Sequence, residues 1–126
     1  MPAWATYYKT ACFKDLSPYD LDWLYTRAAS VAYQLYIRGK VGVNTLRKHY
    51  GAKQRRGTRT EHSRVAAGKC IRYAMMQLET AGLVGKVAYE NDDGSTTVNG
   101  KTLTKKGTTD MDRIASQIAK EMKKRQ

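Results

Sequence analysis

The segment Ser17 to Gly39, SPYDLDWLYTRAASVAYQLYIRG, constrains the fold more than any other stretch. Ser17 suits a helix N-cap and Pro18 the first helical position. Asp20 follows three residues after the cap, and Gly39 supplies a left-handed stop, so one helix of about six turns is predicted. Leu21, Leu24, Tyr25, Ala28, Val31, Ala32, Leu35 and Tyr36 recur at three- and four-residue steps and make a wide apolar face, with Trp23 and Ile37 off that stripe. A helix apolar nearly all round is packed on several sides, which places this one at the centre of the fold. Asp20 and Asp22 stay in the first turn, where the dipole favours acid, and Arg27 and Arg38 are the charges that follow.

The flanking segments read as smaller elements around it. Ala3 to Phe13 puts Trp4, Tyr8, Ala11 and Cys12 on helical spacing, predicting a short first helix. VNTLRKHYG reads as a second short helix, capped by Asn44, facing Leu46 and Tyr50 inward and ended by Gly51. Ala52 to Thr60 has no apolar periodicity and is expected to be a basic loop. Arg64 to Ala81 is a further helix, with Ala67, Ile71, Ala74, Met75 and Leu78 inward and Gly82 as its stop. LVGKVAYE and TTVNGKTLTKKG alternate as short strands do, with turn signals at Asn91 to Gly94 and at Asn99-Gly100. Thr109 with Asp112 resembles a capping box, and Met111, Ile114, Ala115, Ile118, Ala119 and Met122 give the last helix an apolar stripe expected to be buried. Short helix, loop, longer helix and hairpin is the order of a helix-turn-helix with a wing. The fold class is therefore mostly α: one winged-helix-like domain over residues 1–126, its helices around a central amphipathic helix, plus a small β-hairpin.

Charge narrows the partner. Lys and Arg number 23 against 11 Asp and Glu, a net +12 that exceeds what solubility asks for. From Arg38 to Arg72 there are eleven basic residues and one acidic, Glu61, so most of the field comes from one stretch. Arg38, Lys40, Arg47, Lys48, Lys53, Arg55, Arg56, Arg59, Arg64, Lys69 and Arg72 are candidate phosphate contacts, and Gln54 and His62 among them can add hydrogen bonds to sugars or base edges. A merely solvated charge run is the bland alternative for Lys53 to Arg59. A glycine-containing, arginine-dense loop suits the irregular surface of RNA better than a helix preset for a major groove.

Other chemistries find little support. No run of 18 or more apolar residues and no signal-peptide order appear, so a soluble, intracellular protein without membrane contact is expected. Cys12 and Cys70 form no CxxC and read as reduced packing residues. His49 and His62 lack neighbours at metal-ligand spacing, and the pairs Asp20/Asp22, Asp92/Asp93 and Asp110/Asp112 have local explanations as helix starts or turns. Gly94-STTVN-Gly100-Lys101-Thr102 has five residues between its glycines where a P-loop has four, and no helix follows it directly. Neither catalytic residues, metal ligands nor a cofactor are assigned.

Several segments resemble one family. YTRAAS at Tyr25 to Ser30, LYIRG at Leu35 to Gly39, GVNTLRKHYG at Gly42 to Gly51, KQRRG at Lys53 to Gly57, LETAGLV at Leu78 to Val84, LTKKG at Leu103 to Gly107 and DMDRIASQIA at Asp110 to Ala119 look like the eukaryotic and archaeal small-subunit ribosomal protein S19e family. The likeness begins at Pro2-Ala3-Trp4 and runs in order through nearly the whole chain. It implies a winged-helix-like fold and a place in the head of the small ribosomal subunit. There the chain would bind the 3′ major domain of the small-subunit rRNA beside neighbouring head proteins, and would take part in subunit maturation. It implies further that Trp23 and Arg27 match a functional Trp and Arg of the central helix, that Lys53 to Arg56 match the family's basic loop, and that Arg72 matches an Arg of the next helix.

This chain departs from the family pattern at Tyr33 and Tyr73, where eukaryotic relatives have arginines. Roughly the first thirty residues of typical eukaryotic members also have no counterpart in it. The expected location is the cytoplasmic ribosome, with a nucleolar or nuclear assembly phase if the source is eukaryotic. A winged-helix DNA-binding regulator is the alternative function. Such a regulator would dimerise at half-site spacing, and with no dimer zipper in the sequence a homo-oligomer is not expected.

Overall fold

The computed structural model of the chain describes residues 1–90, 92–94 and 96–126. In order they form a short 3-10 helix (Ala3–Thr6), α1 (Trp23–Arg38), α2 (Val43–His49), β1 (Ala52–Arg56), β2 (Arg59–Arg64), α3 (Gly68–Thr80), β3 (Val84–Glu90), β4 (Thr96–Leu103) and α4 (Lys105–Lys124). Mostly helical, with α2 and α3 followed by the antiparallel β3–β4 wing, the arrangement is winged-helix-like. Val41, between α1 and α2, exchanges both backbone hydrogen bonds with Lys101 at 3.0 Å and ties the wing to the helices.

The core lies where α1, α2 and α3 meet. Leu24, Val31 and Leu35 from α1, Leu46 from α2, Ile71, Ala74 and Met75 from α3, and Val84 from β3 are buried together. α1 is central, as its sequence indicates, yet it begins at Trp23 rather than after Ser17. Asp20 takes the Asp22 N–H on its own carboxylate at 2.9 Å, a local turn that competes with helix, and leaves Leu16, Tyr19 and Leu21 exposed. The inward face is also rotated. Trp23 is buried, its indole N–H donating to the Ala5 carbonyl at 3.0 Å, while Tyr25 and Tyr36 turn outward and are exposed.

Other expectations are corrected by tertiary hydrogen bonds. The predicted first helix stops at Thr6, because the Thr10 carbonyl accepts Ala67 N–H at 2.9 Å and Ala11 bridges Ala66. Cys12 is exposed rather than packed, whereas Cys70 is buried, and burial pushes its thiol pKa up. Gly42, not Asn44, stands at the N-cap of α2, and Asn44 lies inside the helix. α3 starts at Gly68 instead of Arg64, since Ala66 and Ala67 give their N–H groups to Arg47 and Thr10.

The Ala52 to Thr60 loop is instead a hairpin, β1–β2, turned at Gly57 with φ +71°. The Asn99-Gly100 signal marks a bulge inside β4, not a turn. The register slips between Lys86 and Ala88 there, and Gly100 has φ +94° with the Val41 carbonyl 3.2 Å from where a Cβ would stand. Of the Asn91 to Gly94 signal, Asn91 lies outside the described residues, as does Ser95 of the P-loop-like stretch. Asp92 to Gly94 turn the chain, and Gly94 has φ +83°. α4 begins a turn before Thr109, capped by Thr104, whose hydroxyl accepts Gly107 N–H at 3.2 Å. Its apolar stripe is not buried: Ile114, Ile118 and Met122 are exposed.

Candidate nucleic-acid interface

β1 and β2 pair Lys53 with Ser63, Gln54 with His62 and Arg56 with Arg59. Two arginines directly opposite each other on a ladder repel, and a bound anion relieves that repulsion. Lys53, Arg55, Arg59, His62 and Arg64 are exposed and Arg56 half-buried. Among the described residues the ion pairs join Lys86 and Lys101 to Glu79 and Arg113 to Asp110, so the hairpin's arginines are not ion-paired, even to Glu61 on β2. Arg64 does donate to the Gln54 side-chain carbonyl at 3.0 Å, which ties the two strands across their open end.

The remaining sequence-predicted cations divide by position. Arg47 is structural as well as basic: its Nε donates to the Ala66 carbonyl at 2.9 Å and pins α2 to the segment leaving β2. Arg38 spans from Gln34 to His49 at 3.1 and 3.2 Å and so links α1 to α2, and Lys48 is exposed. Lys69 and Arg72 are exposed on the first turns of α3, Lys69 with its ammonium 5.0 Å from the Trp4 ring centre. Lys40 lies elsewhere, with its stem against Gly100 of the wing. Arg47 and Arg72 come together at Gly68, beside the segment leaving β2, whereas Lys69 lies at Trp4 and Lys40 at the wing.

Below the hairpin, α1 lines a cleft of about 500 Å³. Trp23 and Arg27 both line it, in different ways. Trp23 is a buried wall whose N–H is already committed to Ala5. Arg27 lays its guanidinium 4.1 Å from the centre of the Tyr50 ring, and its enclosed Nη1 has no hydrogen-bond partner among the described residues. The Ser30 and Tyr50 hydroxyls, 2.7 Å apart, hold the ring beneath it. Thr10, Lys14, Thr26, Ser30 and Tyr50 join the lining. Sequence reasoning did not assign them to a site, because they come from three separated segments.

The acidic and nucleophilic groups do not converge in the same way. Lys101 and Lys86 beside Glu79 hold its carboxyl below the usual range, and the three link α3 to the wing. Among the described residues no group of His, Cys, Asp and Glu could hold a metal ion, and no helix is long and apolar enough to cross a membrane.

Residues 1–121 match the family model described as ribosomal protein S19e. The chain belongs to the ribosomal protein S19e family. A small ribosomal subunit protein eS19 from Argopecten irradians is 43% identical over 123 residues, covering 98% of this chain and 79% of that one. The protein of the same name from Entamoeba histolytica is 37% identical over 121 residues, covering 96% of this chain and 72% of its own length. The Oryza sativa protein is 36% identical over 118 residues, with 94% and 75% covered. S19e membership makes this a ribosomal protein family rather than an enzyme family, and it agrees with the motif order read from Pro2 to Ala119.

Proposed function

We propose that this chain is a constituent of the small ribosomal subunit that binds small-subunit rRNA through the β1–β2 hairpin and the helix ends at its root. The carrying observation is the hairpin itself, whose opposed Arg56 and Arg59 have no carboxylate partner among the described residues. The names of the relatives supply the context. Arg38, Arg47, Lys48, Lys53, Gln54, Arg55, Arg59, His62, Arg64, Lys69 and Arg72 complete the contact set, with Arg27 in the cleft and Trp23 as its wall. Lys40 would contact RNA separately, beside the wing. On this reading residues 1–126 act as one domain in the head of the subunit, on the 3′ major domain of its rRNA and beside other head proteins. The same reading gives the chain a part in subunit maturation and, in a eukaryote, a nucleolar assembly phase before the cytoplasmic ribosome. Family membership lends nothing to the DNA-regulator alternative.

Cosedimentation with small subunits through a high-salt wash tests the assignment, and a protein found free or on chromatin overturns it. The double change Arg55→Ala and Arg56→Ala tests the site. If both contact phosphates, log affinity against log salt loses roughly 0.7 to 0.9 units of slope per contact removed. The melting temperature should hardly move, because Arg55 is exposed and neither side chain makes an ion pair among the described residues. Lys123→Ala with Lys124→Ala, at the exposed end of α4, should change the slope much less. Equal losses at the two places would mean that diffuse charge does the binding.

A further inference from the structure

We infer that the Arg27 cleft receives a single nucleotide of single-stranded RNA, its phosphate on Arg27 and its base against the apolar lip formed by Leu16 and Pro18. This deepens the rRNA-binding reading and rests on it.

Three observations point to that ligand. First, Arg27 lines the cleft with its guanidinium held on the Tyr50 face and no carboxylate paired to it among the described residues, which leaves a charge that an anion would complete. Second, the cleft is too large for an anion alone: its volume of about 500 Å³ lies within the range of small-molecule sites, roughly 300–1,000 Å³. Its mixed lining of hydroxyls, cations and apolar carbon suits a sugar-phosphate and a base together. Leu16 is 82% exposed at the lip, an uncovered apolar surface on which a base face can pack. The Asp20 carboxylate, also in the lining, can accept from the N–H groups of a base edge.

Third, the cleft sits at the root of the basic hairpin. Tyr50 comes two residues before β1 begins at Ala52, and the Thr10 carbonyl is bonded to Ala67, three residues after β2 ends at Arg64. A backbone tracked by the hairpin arginines would therefore meet the cleft next. Unstacked bases of RNA loops are the part that such a pocket can take, because a base inside a helix presents no free face.

The test uses small subunits stripped of this protein and re-formed with the full chain, with nucleotide-resolution probing of rRNA 2′-hydroxyl reactivity. Thr26→Trp fills the cleft from an exposed position and leaves Arg27 in place, and Arg27→Gln removes the charge. Circular dichroism checks that each variant is folded. The expected result is one unpaired nucleotide protected by the wild-type chain and unprotected with either variant, with binding roughly 10-fold weaker. Lys123→Ala with Lys124→Ala, at the exposed end of α4, should still protect that nucleotide.

Cleft variants that protect the same nucleotides at wild-type affinity would overturn the inference and leave the ribosomal reading standing. So would weaker incorporation with no single nucleotide changed, which would identify the occupant as an acidic side chain of a neighbouring protein. A wild-type chain that protects no rRNA would overturn the ribosomal reading itself.

Discussion

α1 and α4 carry the same kind of pattern and end in opposite situations. Both repeat apolar residues at helical spacing. α1 buries Trp23, Leu24, Val31, Ala32 and Leu35 against α2, α3 and the chain start, whereas in α4 the one buried residue is Gly107. The difference teaches what periodicity encodes: it specifies a face, not the surface that covers it. α1 has partners on several sides because the helices that follow it in sequence fold back onto it. α4 is joined to the body by its first turns. There Thr104 donates to the Gly82 carbonyl at 2.9 Å, Gly107 packs on Leu83, and Asp112 accepts from the Tyr36 hydroxyl at 2.8 Å. Beyond Asp112 its stripe faces outward.

The largest effect separating the two helices should come from α1. Leu35 is 1% exposed, so Leu35→Ala removes buried methyl groups and leaves a cavity, with an expected loss of about 2–5 kcal/mol in denaturant unfolding. A loss under about 0.5 kcal/mol, usual for surface sites, would show that the two helices do not differ in burial after all.

The anchor of α4 comes next. An alanine Cβ at Gly107 would stand 2.5 Å from the Leu83 carbonyl oxygen, a backbone atom that cannot swing away. Gly→Ala inside an exposed helix ordinarily stabilises by about 1 kcal/mol, so the sign of the change is informative. Here the overpacking should dominate, and Gly107→Ala should destabilise by about 1–3 kcal/mol. A stabilised variant would mean that α4 is not seated on Leu83.

The same two helices mark how far the sequence could be read. The existence of α1, α2, α3, α4 and the wing follows from local spacing, and so does the core run Val31, Leu35, Ile71 and Met75. What local spacing cannot carry is a partner far along the chain. Trp23 lies off the α1 stripe and is nonetheless buried, because Ala5 offers its carbonyl from eighteen residues away. The start of α1 was hidden for a related reason: Ser17-Pro18 and Asp20 both favour a helix start, and the Asp20 side chain closes a turn on its own neighbour instead.

In the candidate site the arginines were legible and their scaffold was not. β1 and β2 bury almost nothing, so no alternation of apolar and polar residues announces them, and their pairing rests on backbone hydrogen bonds. Asn99-Gly100 is the converse case, since the positive φ that suits a hairpin turn suits a bulge equally. The cleft was invisible because Thr10, Arg27 and Tyr50 meet only after folding.

A smaller effect should follow loss of the bridge between the helices. The Asp112 hydrogen bond holds the Tyr36 phenol above its ordinary pKa. Its contribution is therefore present below about pH 10, the unfolded value, and is lost as pH rises through the higher folded pKa. Tyr36→Phe should lower the melting temperature less than Gly107→Ala does, and the gap from wild type should close at high pH. A gap unchanged across that range would show that the hydroxyl does not bridge α1 to α4 in solution.

The smallest effect is expected at Ile118, the α4 counterpart of Leu35. At 49% exposure it has already kept about half of its surface in water, so truncation removes little buried area and opens no cavity. Alanine is also the better helix former, by a few tenths of a kcal/mol, because a β-branched chain loses χ1 freedom against the preceding turn. The two effects oppose each other, and Ile118→Ala should stay within about 0.5 kcal/mol of wild type. A loss as large as that of Leu35→Ala would mean that the stripe is covered in solution. If the loss then grew with protein concentration, the cover would be a second copy of the chain. If it did not, α4 would have folded back onto its own body, and the comparison between the two helices would fail.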